Sequence, residues 1–366
     1  MPHTLDTRRH DLDALRACAM LLGIVLHAAI AYAGFNWAVV DPSHNQCFAW
    51  LFYGVHGFRM QLFFLISGYF TCMLYQKRGL KELLLHRLKR ILIPLLIFAP
   101  LTSPLINYIL TQAYQKQGTA ELFASFHSGN ILADFNFHHL WFLYFLCFFV
   151  LAFSLITICP KPNFPKRFLT YPSNLFYIVP ITLVIQSFLT RSYPTFGPES
   201  SLGLIPKLPV LLYYATFFFF GCLLFLHPKT PVGLRWKLLT VTALLFLFPL
   251  GMWTEWWSYY NAPNLQILSD ILQVLFTWSM VFACIGFFQI YCSHPSKVMR
   301  YLSDASYWLY LAHLPLVFAI QLLIQNWQIT CFLKFPIVIL ATLAPLLLAY
   351  HFVVRKKPLG KLLNGK

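Results

Sequence analysis

The sequence predicts an all-α protein that crosses a membrane many times. Three observations carry that reading: 59% of the 366 residues are hydrophobic, only 10% are charged, and the apolar residues gather into runs about as long as a membrane span. A soluble domain carries roughly 25% charged residues, so this chain has shed more than half of them. A helix of about 20 residues crosses a hydrocarbon layer of about 30 Å. The net charge is +16, from 27 Lys+Arg against 11 Asp+Glu. In a soluble protein that balance would suggest nucleic acid. Here the basic residues fall between apolar runs, where membrane orientation explains them, so lipid is the expected partner and nucleic acid is not.

Ten runs are expected, at about 15–36, 48–75, 91–111, 140–159, 174–190, 208–226, 238–254, 267–291, 304–325 and 332–354. The first could be mistaken for a signal peptide, because Arg8 and Arg9 precede it and Ala31-Tyr32-Ala33 follows. It is longer than a usual signal core, and Asp13 and Arg16 crowd its start, so a retained span is expected. The second carries Arg59, Gln61 and FFLISGYF (63–70). An Arg at or near the outer end of a span needs a partner or water. Ser67-Gly68 is a small pair that lets a helix or a ligand approach closely.

Between the second and third runs lies KRGLKELLLHRLKRILIP (77–94), the most basic part of the chain. Arg87, Lys89 and Arg90 stand one turn before Pro94. Guanidinium groups bind phosphate bidentately, so the cluster suits a cytosolic nucleotide cofactor. Anchoring against anionic lipid would use the same cluster. The fourth run opens with HHLWFLYF (138–145), in which His138, His139 and Trp141 fit either a cavity mouth or an interfacial aromatic belt. The fifth is short and flanked by prolines. The ninth holds His313 shortly before Pro315. WTEWWSYY (253–260) reads as an outside loop forming an aromatic girdle.

Lys and Arg counts set the orientation. With the N-terminus cytoplasmic, the inside segments hold Arg8 and Arg9, then Lys77, Arg78, Lys81, Arg87, Lys89 and Arg90, then Lys161, Lys166 and Arg167. They continue with Lys229, Arg235, Lys237, Lys297 and Arg300, and with Arg355, Lys356, Lys357, Lys361 and Lys366 in a short basic tail, 21 in all. The outside segments hold four: Lys116, Arg191, Lys207 and Lys334. The expectation is one membrane-embedded domain over 1–366, with its core at 12–354, a tail at 355–366 and both termini cytoplasmic.

The stretch that organises the rest is DALRACAMLLGIVLHA (13–28). Arg16 and His27 are eleven residues apart, so on a helix they share a face about 16 Å apart. With Arg16 at one surface, His27 reaches the middle of the layer. An ionisable group at that depth is expensive and points to function, although a His satisfied by a backbone carbonyl fits the spacing equally. His313 is a second mid-membrane imidazole, suited to a polar interior cavity or to satisfying a helix kink. Intramembrane carboxylates are nearly missing, Asp270 and Asp304 being terminal, which argues against a carboxylate proton relay. There is no HExxH, GxSxG, Walker loop or dinucleotide fingerprint. The nine cysteines form no CxxC pair, and only Cys47 and Cys331 could meet on an oxidising side. No metal site is expected.

Four ordered stretches resemble the integral-membrane acyltransferase-3 family: LDALRACAMLLGIVLHA (12–28), FFLISGYF (63–70), RLKRILIP (87–94) with HLWFL (139–143), and SYWLYLAHLP (306–315). The Arg followed eleven residues later by His is that family's signature, and the resemblance covers nearly the whole chain. It implies an acyltransferase that takes an acyl group from cytosolic acyl-CoA, acetyl-CoA or succinyl-CoA, and modifies a carbohydrate outside the membrane. The opening looks most like a branch implied to move succinyl groups onto periplasmic glucans. The bacterial inner membrane is the implied location, and a homo-oligomer stays open.

Carried over, the resemblance gives His27, Arg16 and Asp13 as catalytic candidates and Arg87, Lys89, Arg90, Ser67 and Gly68 as cofactor-binding. Arg59, His139, Trp141 and His313 are then the substrate-binding candidates. The chain departs from the pattern at HGFRMQLFFLISG (56–68), where many members carry an acidic residue in place of Met60 or Gln61. The residues fit such chemistry physically: a neutral imidazole at His27 could take a proton from an acceptor hydroxyl. Arg16 could hold either phosphates or a developing oxyanion. The rival class is a transporter, which ten spans and a polar midplane would also suit. Against it stand the missing coupling carboxylates and internal repeats.

Overall fold

The structure is a computed structural model that describes residues 9–35, 37–116, 135–159, 174–190, 194–227 and 235–363. Of the cations used for orientation, Arg8, Lys161, Lys166, Arg167, Arg191, Lys229 and Lys366 lie outside those residues. The described chain is helical, with a single isolated bridge between Asn136 and Gly203 as its only extended pairing. The protein is an all-α, multi-pass membrane protein, and eight helical stretches are long and apolar enough to cross a membrane.

In chain order the helices are α1 His10–Ala29, α2 Gln46–Arg87, α3 Ile93–Lys116, α4 Trp141–Ile158, α5 Leu175–Gln186 and α6 Leu208–Leu226. There follow α7 Trp236–Tyr260, α8 Gln266–Tyr291, α9 Lys297–Ile324, α10 Cys331–Ala349 and α11 Pro358–Leu363. Every expected run has its helix, but two of them join. Runs two and three lie in one continuous helical stretch, Gln46–Lys116, broken at Gly79 with φ 77° and ψ 177°. A side chain is strained at that φ, so a glycine marks the bend. Run five forms only the twelve residues of α5, about 18 Å long, well short of a hydrocarbon layer. The expected outside loop 253–260 is instead the end of α7, with Trp253, Trp256, Trp257 and Tyr260 exposed and Glu255 buried.

Between α2 and α3, residues Leu88–Leu92 form a π-helical turn. Pro94 has no N–H to give to the Arg90 carbonyl four residues earlier. The Tyr307 hydroxyl donates to that carbonyl at 2.5 Å. The turn thereby ties the basic stretch to α9.

α1 is central, packed against α9, α2, α8 and α10. α1 and α9 run in the same direction: Arg16 Nη2 donates to Ser303 Oγ at 2.9 Å near one end, and the His27 and His313 rings meet 5.4 Å apart near the other. Gln321 Nε2 then donates to the His27 and Ala28 carbonyls at 3.0 and 3.2 Å, two of the acceptors that the end of α1 leaves open. α2 and α6 pack through glycines. A Cβ on Gly68 would overlap the Phe218 carbonyl, and one on Gly221 would overlap the Leu65 carbonyl. Close backbone contact through small residues is how helices associate in lipid.

Both ends of the described chain lie at the same end of the bundle. Arg9 shares a cavity wall with Arg87 and Arg90, and α11 packs on the Leu88–Leu92 turn. The opposite end is closed by a buried ion pair. Lys334 Nζ donates to Asp41 Oδ1 and Oδ2 at 2.9 and 2.8 Å and to the Gln325 carbonyl at 2.9 Å, with Lys334 only 1% and Asp41 2% exposed. Gln325 Nε2 donates to the Val40 carbonyl and Cys331 N to Ser43 Oγ, so the 33–45 connection is clamped to the α9–α10 turn. All nine cysteines are free thiols.

Breaking a buried pair from one side strands the other charge, at a cost of about 3–5 kcal/mol. Lys334→Met should therefore lower the unfolding temperature in detergent sharply. Adding Asp41→Leu should recover a large part of that loss, and a single variant as stable as the parent would show the pair to be dispensable.

Candidate active site

The site has two parts joined by α1. At the end where the described residues begin and end, a cavity of about 440 Å³ is walled by Arg9, Arg16, Lys77, Arg87, Arg90 and Arg300. Only two carboxylates, Asp13 and Asp304, share that wall, and Ser67, Phe63, Phe142 and Tyr307 line its depth. Six cations against two carboxylates make it an anion site, focused by the low-dielectric helices around it.

Four of the cations have neighbours that position them. Arg87 Nη2 donates to Thr71 Oγ1 at 2.9 Å, and that hydroxyl donates to the Ser67 carbonyl at 2.7 Å. Arg87 Nε is buried with no hydrogen-bond partner. Arg90 lies 5.9 Å from the Tyr307 ring centre, in cation–π range. Arg16 stands between Asp13, at 3.5 Å, and Ser303, with Phe70 beneath it. Arg9 forks onto the Asp11 carboxylate at 2.9 and 2.7 Å and reaches the Tyr69 hydroxyl at 3.1 Å.

About three turns further along α1, three imidazoles gather. His313 lies between His27, at 5.4 Å, and His139, at 5.0 Å between ring centres. The His313 Nδ1 faces the Tyr310 and Leu309 carbonyls at 2.8 and 3.1 Å. A carbonyl can only accept, so Nδ1 carries the hydrogen and Nε2 the lone pair. That Nε2 is buried with no partner. By the same reasoning His139 Nε2 donates to the Leu311 carbonyl at 3.2 Å, which leaves its Nδ1 lone pair buried and unpartnered. The Tyr310 hydroxyl donates to the His139 carbonyl at 2.6 Å and fixes the start of α4 against α9. Two buried imidazoles thus present basic nitrogens beside His27, in a setting able to accept and return a proton.

The structure gathers some of the expected residues and separates others. Arg16, Asp13, Arg87, Arg90 and Ser67 line the cation cavity together. Arg16 and Asp13, the catalytic candidates named with His27, stand in the cavity wall three or more turns from it, as eleven or more residues of helix require. Lys89 is exposed and off the cavity wall, since the π turn directs it away from Arg87 and Arg90. Gly68, expected beside the cofactor, is turned to α6 instead. Trp141 is neither a mouth nor a belt residue: it is 5% exposed and packs on Phe64, Phe145 and Tyr214. His139 and His313 join His27, and Arg59 sits over Gly23, one turn before it.

Sequence reading missed Arg9, Lys77, Arg300, Asp304 and Tyr307 in the cavity wall. The signal was there on α9: Arg300, Ser303, Tyr307, Tyr310 and His313 recur every three or four residues and so form one polar stripe along α1.

The family model described as an acyltransferase domain, acyltransferase-3, matches residues 9–353. The chain belongs to the acyltransferase-3 family. It is an acyltransferase. Among its relatives are the glucans biosynthesis protein C of Salmonella gallinarum (strain 287/91 / NCTC 13346) and that of Salmonella schwarzengrund (strain CVM19633). Each is 28% identical over 326 residues, 84% of this chain and 82% of the relative. The Salmonella typhi protein of the same name matches to the same extent. No solved structure gives a significant match. The matched span takes in both parts of the site, from Arg9 in the cavity to His313 beside His27.

The opposed faces of Ser67 and Gly68 separate cavity from packing. Gly68→Leu should cut the yield of folded protein, read by size-exclusion chromatography in detergent, because a backbone carbonyl cannot move aside as a side-chain end can. Ser67→Ala should leave that yield unchanged, and equal yields for both would mean that the α2–α6 contact is loose.

Proposed function

We propose that this acyltransferase takes an acyl group, succinyl or acetyl, from acyl-CoA held at the cation-lined cavity and passes it to a hydroxyl of an envelope carbohydrate. The observation that carries the reading is the pairing, on one face of α1, of a six-cation cavity with unpartnered imidazole nitrogens about 16 Å away. Coenzyme A has that shape: a highly anionic nucleotide end and a long uncharged arm ending in the thioester. The phosphates sit among Arg87, Arg90, Arg16 and Arg300, and the arm runs along α1 between Phe63 and Phe142 toward His27.

His27 is the general base. It takes the proton of the acceptor hydroxyl as that oxygen attacks the thioester, and later gives it to the leaving thiolate. The name of the relatives favours a glucan as the acceptor. Positive charge gathers at the end of the bundle that holds Arg9 and α11, which supports a cytosolic donor side and an acceptor reaching the imidazoles from the opposite side. A bacterial inner membrane would supply both compartments.

Three experiments test the reading. Mass spectrometry of envelope and periplasmic glycans from cells with and without the protein should find acyl groups only when it is present. His27→Asn keeps the size and hydrogen bonding of the side chain but has no basic nitrogen, and it should lower acyl transfer by about 10²–10⁴-fold while the protein still accumulates. More than about a tenth of the parent rate in that variant would make His27 a structural residue. Arg87→Gln with Arg90→Gln should raise the apparent KM for acyl-CoA and leave folding intact. Unchanged acyl-CoA binding in the double variant would make the pair an orientation signal alone.

A further inference from the structure

Arg59 is a cation in the middle of the bundle that the cavity does not use. Its Nη2 reaches only the Met60 sulfur, at 3.4 Å, and its Nε is buried with no hydrogen-bond partner. Among the described residues it forms no ion pair, whereas Arg9, Arg16 and Lys334 each have a carboxylate. A guanidinium without a counter-charge at that depth is costly and is kept for a use.

Its position narrows the use. The guanidinium lies against Gly23 of α1, where a Cβ would overlap Nη1. Gly23 is four residues before His27, one turn along the same face. The free N–H groups therefore stand between the cation cavity and His27, on the line an acyl-CoA arm would follow. They are near enough to act electrostatically on His27, His313 and Tyr310. Arg16, the other cation on this face, is far from His27 and engaged by Asp13 and Ser303.

We propose that Arg59 is a catalytic residue, the oxyanion donor of acyl transfer; this rests on the acyl-CoA reading above. The acceptor oxygen bonds to the acyl carbon while its proton passes to His27. The carbonyl π pair moves onto the carbonyl oxygen, which becomes an oxyanion against the Arg59 N–H groups. The pair then returns, the carbon–sulfur bond breaks, and the thiolate leaves as coenzyme A with the proton from His27. A cation that lacks a partner at rest and gains one only as charge develops favours the transition state over the ground state. Gly23 is what lets the guanidinium lie this close to α1.

The test is steady-state transfer by the full-length protein in vesicles, with acetyl-CoA and succinyl-CoA as donors and a linear β-glucan oligosaccharide as acceptor. Transfer from neither donor by the parent protein would defeat the acyl-CoA reading itself, before any variant is compared. Given parent activity, Arg59→Gln should lower kcat by about 10²–10³-fold with KM for the donor changed less than about threefold. Gly23→Ala displaces the flexible guanidinium without removing it and should also lower kcat with little change in KM. A kcat for Arg59→Gln within about threefold of the parent would overturn the proposal. So would a loss confined to KM for succinyl-CoA, which would assign Arg59 to the free carboxylate of the acyl group. Should Arg59→Gln fail to accumulate, Gly23→Ala and Arg59→Lys decide, and parent kcat in both would overturn it equally.

Discussion

A charged or polar side chain carried into an apolar interior is costly unless it finds a partner there, because lipid offers none. In this protein that constraint arranges the helices around α1. Arg16 needs Ser303, the open carbonyls at the end of α1 need Gln321, and the turn after it needs Gln325 and Lys334. Three of those partners are on α9 or just beyond it and one opens α10. α1 and α9 are therefore fixed in register along their whole length, and the His27–His313 contact follows from that register.

The same constraint divides the work between the two ends of α1. At one end cations outnumber carboxylates, so the wall stays short of negative charge until an anion enters. At the other end imidazoles carry lone pairs that no backbone donor meets. Helical rise alone sets the separation between the two regions, so a long, flexible arm is needed to connect chemistry at one to binding at the other. Rigid helices hold such a distance better than loops would, since the side chains stand on elements whose own hydrogen bonds are complete.

Much of this was legible in the sequence. Ten apolar runs have ten helical counterparts, and the Arg16 to His27 spacing marks the axis of the site. What spacing along one helix cannot show is which neighbour fills the space beside it. Ser67 and Gly68 are adjacent, yet one faces the cavity and the other the α6 backbone, and only the partner helix decides which. Lys334 counts as one more outside charge until Asp41 is seen against it. Spacing left Arg16 open between phosphate and oxyanion, and only the neighbouring helices show that its surroundings are the cation cavity. Glu255 lay hidden in an aromatic stretch, where it is buried and accepts from Ser269 and Gln273 at 2.7 and 2.9 Å. Aromatic composition predicted the exposed face of that helix and said nothing of the opposite one.

The Asp41–Lys334 pair has a bearing on how the protein is made. Asp41 follows α1, and Lys334 lies in the first turn of α10, 293 residues later in the chain. Until α10 is in place, the connection after α1 lacks the lysine and the Cys331 amide, while Gln325, just after α9, can already hold it. The connection after α1 is thus closed late, and a chain halted before α10 leaves the Asp41 carboxylate without its lysine.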